Sequence, residues 1–206
     1  MTQFSLFGAA ATAPALADLG GILLAGGHWV RGRADDVTSD VTAGAPAGAR
    51  TTARLSVVVR DEWRALALAD GFADRDLAGD APQQAPTGLT VRTAFAASLA
   101  PLADAWTRGA NEAPPAGFIL TAGGLRLWAI AAGRYDEVGY LLGTALPDDE
   151  VHRVAGAQLA RLGLAAVSIH RGGAGWRVTS ARRLRRLHEL LGPAPEGGAG
   201  NWPLSG

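Results

Sequence analysis

Two apolar segments rich in small residues, residues 19–27 (LGGILLAGG) and 125–133 (LRLWAIAAG), constrain this chain more than any other feature in it. A helix apolar on every side has to be buried, and glycine or alanine on it lets a second backbone come close. The segments occupy corresponding places in the two halves of the chain, and similar elements follow each one. Such self-similarity predicts a fold of two related halves packed against each other.

Composition breaks mark the halves. Residues 34–52 carry Asp, Thr, Ser, Gly and Ala with no apolar period, residues 78–88 contain Pro82 and Pro86, and residues 111–117 contain Pro114 and Pro115. Periodicity in the first half predicts a helix over 15–25, strands over 28–33 and 54–60, a helix over 61–77 through Trp63, Leu66, Leu68 and Phe72, a strand over 89–93 and a helix over 96–108. The second half predicts a helix over 124–133, a strand over 138–143, and a helix over 148–162 with an acidic first turn. A hairpin of strands 166–171 and 176–179 follows, turned by the glycine-rich residues 172–175, and then a helix that Ser180 caps and Gly192 and Pro193 end. The expected organisation is an N-terminal docking peptide over 1–14, a first half over 15–110, a linker over 111–117, a second half over 118–192 and a tail over 193–206.

The twice-repeated order of helix, strands, helix, strands, helix resembles the monomeric LAGLIDADG homing-endonuclease family. In that family two such halves pack helix on helix and their strands form a saddle over DNA. Against LAGLIDADG the first segment keeps Leu19, Gly21, Ala25 and Gly27, and the second keeps Leu125, Ala131 and Gly133. The resemblance implies a single α+β domain with pseudo-two-fold symmetry, a monomer in which Gly21, Ala25, Ala131 and Gly133 pack the interface.

The acids of the motif are missing. Where the family carries the acid that binds the catalytic metal, this chain has Gly26 and Ala132, and the earlier Asp position holds Leu24 and Ile130. Metal-activated hydrolysis of a phosphodiester needs hard oxygen ligands at that place. The resemblance therefore implies a DNA-binding scaffold without catalytic residues, metal or cofactor, similar to sporulation regulators of the WhiA type. The alternative is a Mg²⁺-dependent endonuclease using the nearby Asp136 and Glu137, and a third reading is a scaffold that binds protein only.

Formal net charge is zero, from 19 basic and 19 acidic residues, and every basic residue is arginine. Residues 161–192 are strongly basic, with Arg171 and Arg177 in the hairpin and Arg182, Arg183, Arg185 and Arg186 on the last helix. Arginine suits bidentate contact with phosphate or guanine, and a basic stripe tracks a nucleic-acid backbone. The expected contacts to double-stranded DNA are Arg33, Arg54, Arg92, Arg171, Arg177, Arg182 and Arg186. The last-helix arginines also surround the apolar stripe Leu184, Leu187, Leu190 and Leu191, as a solvated face would. Trp29 and Trp176 fall on predicted strands, as core residues or as platforms for base stacking.

Residues 3–7, QFSLF, resemble the bacterial sliding-clamp-binding motif, in which a glutamine bonds the clamp surface and a Leu-Phe pair enters an apolar pocket. The resemblance makes Gln3, Leu6 and Phe7 the clamp anchor and ties the protein to replication or repair, with the glycine- and alanine-rich residues 8–14 as tether. Phe4, Leu6 and Phe7 read equally well as an apolar arm buried on the body.

Other chemistry is excluded by what the chain lacks. Without lysine there is no Schiff base or Walker-type phosphate lysine, and with Cys 0 there is no thiol nucleophile, disulfide or zinc ribbon. The four histidines, His28, His152, His170 and His188, show no spacing that puts two metal ligands on one helix face. The longest apolar runs fall short of a membrane span and no basic region precedes an apolar run at the start, so a cytoplasmic protein is expected.

Overall fold

Residues 12–33, 51–109, 111–144, 149–170 and 174–203 are described by the computed structural model. A 3₁₀ turn at Leu16–Leu19 runs into α1 (Gly20–Leu24), followed by β1 (His28–Arg33) and β2 (Thr51–Val59). Then come α2 (Glu62–Ala73), β3 (Gln83–Ala85), β4 (Gly88–Arg92) and α3 (Ala100–Trp106). A short hairpin, β5 (Thr107–Arg108) and β6 (Asn111–Glu112), leads to the second half. That half contains α4 (Ala122–Ala132), β7 (Gly133–Asp136), β8 (Gly139–Gly143), α5 (Asp149–Arg161), β9 (Val167–Ile169), β10 (Gly175–Val178) and α6 (Ala181–Leu191). No helix among the described residues is long and apolar enough to cross a membrane.

The two halves share one topology. All strand pairs are antiparallel, and the sheets run β1-β2-β4-β3 and β7-β8-β10-β9, the same order of first, second, fourth and third strand. One face of each sheet is apolar and takes the helices: Leu55, Val57 and Val59 of β2 and Tyr140 and Leu142 of β8 are buried in one core with α1 and α4. This is the α+β, pseudo-two-fold single domain that the repeat implies.

Glycine sets how closely the halves meet. A Cβ on Gly21 of α1 would lie 1.8 Å from the carbonyl oxygen of Gly124 in α4, so any side chain there separates the helices. The second-half partner is thus Gly124, with Gly123 beside Asp18, about two turns ahead of the expected Ala131 and Gly133. Gly133 instead fits under the Tyr140 hydroxyl of its own sheet, 2.2 Å from a hypothetical Cβ, and Ala25 and Ala131 pack against the core only partly buried.

Three arginines brace the fold from inside, and Arg64 does so across the boundary between the halves. The last carbonyls of a helix lack intrahelical partners and favour a nearby cation. Arg64 of α2, buried, donates to the carbonyls of Ile130 (2.6 Å) and Gly133 (2.6 Å) at the end of α4. Arg126 of α4 donates to Leu191 and Pro193 at the end of α6 (2.6 and 2.7 Å), with Trp202 beneath its guanidinium. Arg75 donates to Gly71 and Ala15 carbonyls and pairs with buried Asp18, which also accepts from the Thr121 hydroxyl across the half boundary (2.6 Å).

Several expectations need correction. The loop expected over 78–88 contains β3, an edge strand, and the linker expected over 111–117 begins with β6. A further strand, β7, lies between the 124–133 helix and the strand expected at 138. Ser180 stands at the N-cap of α6 but makes no side-chain capping bond, whereas Thr121 caps α4 by accepting from the Gly124 amide (2.8 Å).

Candidate nucleic-acid interface

Alternation along a strand sends neighbouring residues to opposite faces, so the cross-strand register assigns each side chain to a face. On the first sheet the pairs His28 with Ser56, Val30 with Arg54, Ser56 with Arg92, Val58 with Thr90 and Thr90 with Gln83 all lie on the face opposite the buried Leu55, Val57 and Val91. That open face brings together Arg54, Arg92, His28, Thr90 and Gln83 around Ser56, which is itself buried. Arg92 donates to Gln83 (2.7 Å), and the Arg54 guanidinium stacks over Phe95 (4.5 Å to the ring centre) with its Nε buried and unbonded. Both cations are held in place by neighbours that leave them unneutralised, since neither forms an ion pair among the described residues.

The open face of the second sheet is built differently. The pairs Arg134 with Leu141, Leu141 with Arg177, and Arg177 with Val167 lie on it, beside Asp136 paired with Gly139. Arg177 forms an ion pair with Asp136. Burial raises the cost of charge on Asp136, but the amides of Val138 and Gly139 and the Arg177 guanidinium outweigh it and hold the carboxyl below its ordinary value. Leu141 is buried, Val167 is exposed, and Arg134 is the exposed basic group of this face.

The structure therefore groups Arg54, Arg92 and Arg177 on open sheet faces, and it adds His28, Gln83, Thr90 and Arg134. Their signal was in the sequence only as alternation, which becomes readable once the register is known. Arg33 pairs with Thr51 in the β1–β2 ladder, and Arg31, two residues before it, pairs with Asp104 of α3. Arg182 and Arg186 lie on α6, in the helical layer that buries Leu187, Leu190 and Leu191; Arg186 pairs with Glu189. Gln3, Leu6, Phe7 and Arg171 lie outside the described residues. Trp29 and Trp176 have helix-side parity, and Trp176 stacks on His152 of α5 and donates to its carbonyl, so base stacking is not open to it.

The resemblance to LAGLIDADG endonucleases implies a divalent metal where the paired helices end, and the residues there do not fit one. Gly26 and Ala132 supply no side-chain oxygen, and Gly26 has φ 101, a backbone that an acidic residue adopts only with strain. Asp136 spends its oxygens on Arg177 and the turn amides, and Glu137 is exposed in that turn. Glu112 accepts from the Trp29 amide at the edge of β1 (2.6 Å), and burial raises its carboxyl above the ordinary value. Among the described residues no group of three or more His, Cys, Asp or Glu side chains is placed to hold a metal ion.

Helix-paired halves, each with a four-stranded sheet whose outer face is left open, define the α+β fold of homing endonucleases. No family model matches the sequence, and no curated protein matches it. Among solved structures the chain is similar to the homing endonuclease I-WcaI bound to its DNA recognition sequence, with a TM-score of 0.60 at 11% identity, over 94% of this chain and 89% of that one. At that identity the likeness is one of fold.

Proposed function

We propose that this protein binds double-stranded DNA on the open faces of its two sheets and does not cleave it. The observation that carries the reading is the placement of Arg54, Arg92, Arg134 and Arg177 on those faces by strand register. Arg54 and Arg92 are free of acids and flanked by the hydrogen-bonding groups of His28, Thr90 and Gln83. The similar structure holds DNA, which supports the same use here. Zero net charge predicts weak binding to arbitrary sequence, so affinity depends on this local cluster. The absence of side-chain oxygens at Gly26 and Ala132 supports the non-cleaving part. WhiA-type regulators are the precedent for such a role.

The test is fluorescence anisotropy with labelled duplexes across a salt series. Binding should weaken steeply with salt, and replacing Arg54 and Arg92 together by Ala should shallow the log–log slope by roughly one per arginine. A salt-independent signal overturns DNA binding and leaves a protein-only scaffold. Plasmid cleavage in Mg²⁺ that Asp136→Ala abolishes overturns the non-cleaving part and establishes the endonuclease reading.

We further propose that Gln3, Leu6 and Phe7 recruit the protein to a bacterial sliding clamp, on the support of the QFSLF peptide alone. A peptide of residues 1–14 should bind the clamp and lose binding on Leu6→Ala with Phe7→Ala. No affinity at high micromolar peptide overturns it.

A further inference from the structure

Away from the open sheet faces, a groove of about 770 Å³ runs between α2, α4 and residues 193–197, and no strand residue lines it. Its floor is apolar: Trp63 and Leu66 of α2 face Leu127 and Ile130 of α4, and Leu66 is 54% exposed. The charges around it are mostly negative. Asp18 and Arg75 neutralise each other, and Arg126, which donates to the Leu191 and Pro193 carbonyls, keeps its charge and attracts Asp74. Glu62, Asp70, Asp74 and Glu196 remain, all exposed and none in an ion pair among the described residues.

Glu62, Leu66, Asp70 and Asp74 stand four residues apart and form one stripe along α2. Asp70 lies in the last turn of that helix and Asp74 caps its C-terminus, where the helix dipole disfavours negative charge. Like charges four apart also repel. Arg75 on the Gly71 carbonyl and Arg126 opposite Asp74 oppose these effects, and a further cation seated in the groove would add to that relief.

We propose that this groove is the docking site for a basic peptide of a protein partner, with arginine or lysine side chains on the carboxylate rim and an apolar side chain between Leu66 and Ile130. Charge complementarity selects this occupant. The inference does not rest on the DNA reading, because the groove and the arginine-bearing sheet faces are separate surfaces.

The probe is a fluorescein-labelled GRRLFRLLRRG peptide titrated with the full chain. A dissociation constant on the order of 10 µM is expected, rising with salt. Asp70→Asn with Asp74→Asn should weaken binding about fivefold and Leu66→Ser about threefold, all at exposed positions, with duplex binding unchanged. A peptide with Glu for every Arg should not bind. Four outcomes overturn the proposal: no binding of the probe; affinity indifferent to the Asp70 and Asp74 changes; an all-arginine peptide bound equally well and insensitive to Leu66→Ser; or a peptide of residues 1–11 displacing the probe, which assigns the groove to the chain itself. Self-association of the full chain that Leu66→Ser dissolves likewise overturns it in favour of a second copy.

Discussion

The two sheets have the same strand order and bury the same face, yet their outer faces have little in common. The first presents Arg54 and Arg92 without acidic partners, amid His28, Gln83 and Thr90. The second pairs Arg177 with Asp136, keeps Arg134 exposed and fills the remainder with Leu141, Val167 and Ile169. The difference shows where the repeat is constrained. Residues facing the shared core must preserve the packing of α1 on α4, whereas residues facing outward are free to diverge. On the DNA reading, the first half discriminates and the second half mainly holds.

The largest expected effect tests what the halves share. Gly21→Val should lower the unfolding free energy by roughly 1–3 kcal/mol, because the new side chain meets the Gly124 carbonyl. Urea unfolding at wild-type stability would show that the helices do not meet there. The next tests the divergence. Arg54→Ala with Arg92→Ala should weaken duplex binding at least about tenfold in anisotropy, against about threefold for Arg134→Ala with Arg177→Ala. Equal losses would erase the distinction between the faces.

A smaller effect of opposite sign is expected from Asp136→Asn. Releasing Arg177 from its carboxylate should tighten duplex binding about twofold. It should also cost at most about 1 kcal/mol of stability, since the pair is part-exposed. Asp136 is held below its ordinary value, so its contribution is complete above about pH 4 and disappears as the pH falls through the depressed value. The stability gap between wild type and variant should close in strong acid.

The smallest effect concerns Glu112, which is held above its ordinary value by burial. Its contribution is therefore present in acid and declines as the pH rises through the raised value. Glu112→Gln keeps an acceptor for the Trp29 amide without the charge and should stabilise by roughly a few tenths of a kcal/mol at pH 7, the gain vanishing in acid. A loss at pH 7 would mean that the charge itself is wanted at the edge of β1.

Strong periods made the long elements legible. The β-branched run of β2 and the apolar stripes of α2, α5 and α6 carry their own pattern. β3 and β7 do not: Gln83-Gln84-Ala85 and Gly133-Arg134-Tyr135-Asp136 are short, mostly polar edge strands defined by their partners. The second-half interface lies about two turns before the residues the motif implies, because Ala131 and Gly133 resemble interface residues in composition, while Gly123 and Gly124 precede the apolar run. Arginine was the least readable residue. Arg64, Arg75 and Arg126 look like solvated helix positions and prove to be internal donors to backbone carbonyls, whereas Arg134, which no sequence pattern marks, lies on an open face.

The internal arginines bear on how the chain can come apart. Arg64 belongs to the first half and completes the end of a helix in the second, and Asp18 and Thr121 bond across the same boundary. A first half on its own would hold an arginine without its acceptors, and a second half alone would leave the α4 carbonyls bare. The repeat therefore does not supply two modules to be separated, shuffled or reused. It describes one cooperative unit, which should melt in a single transition and regain its structure from fragments only when both are present.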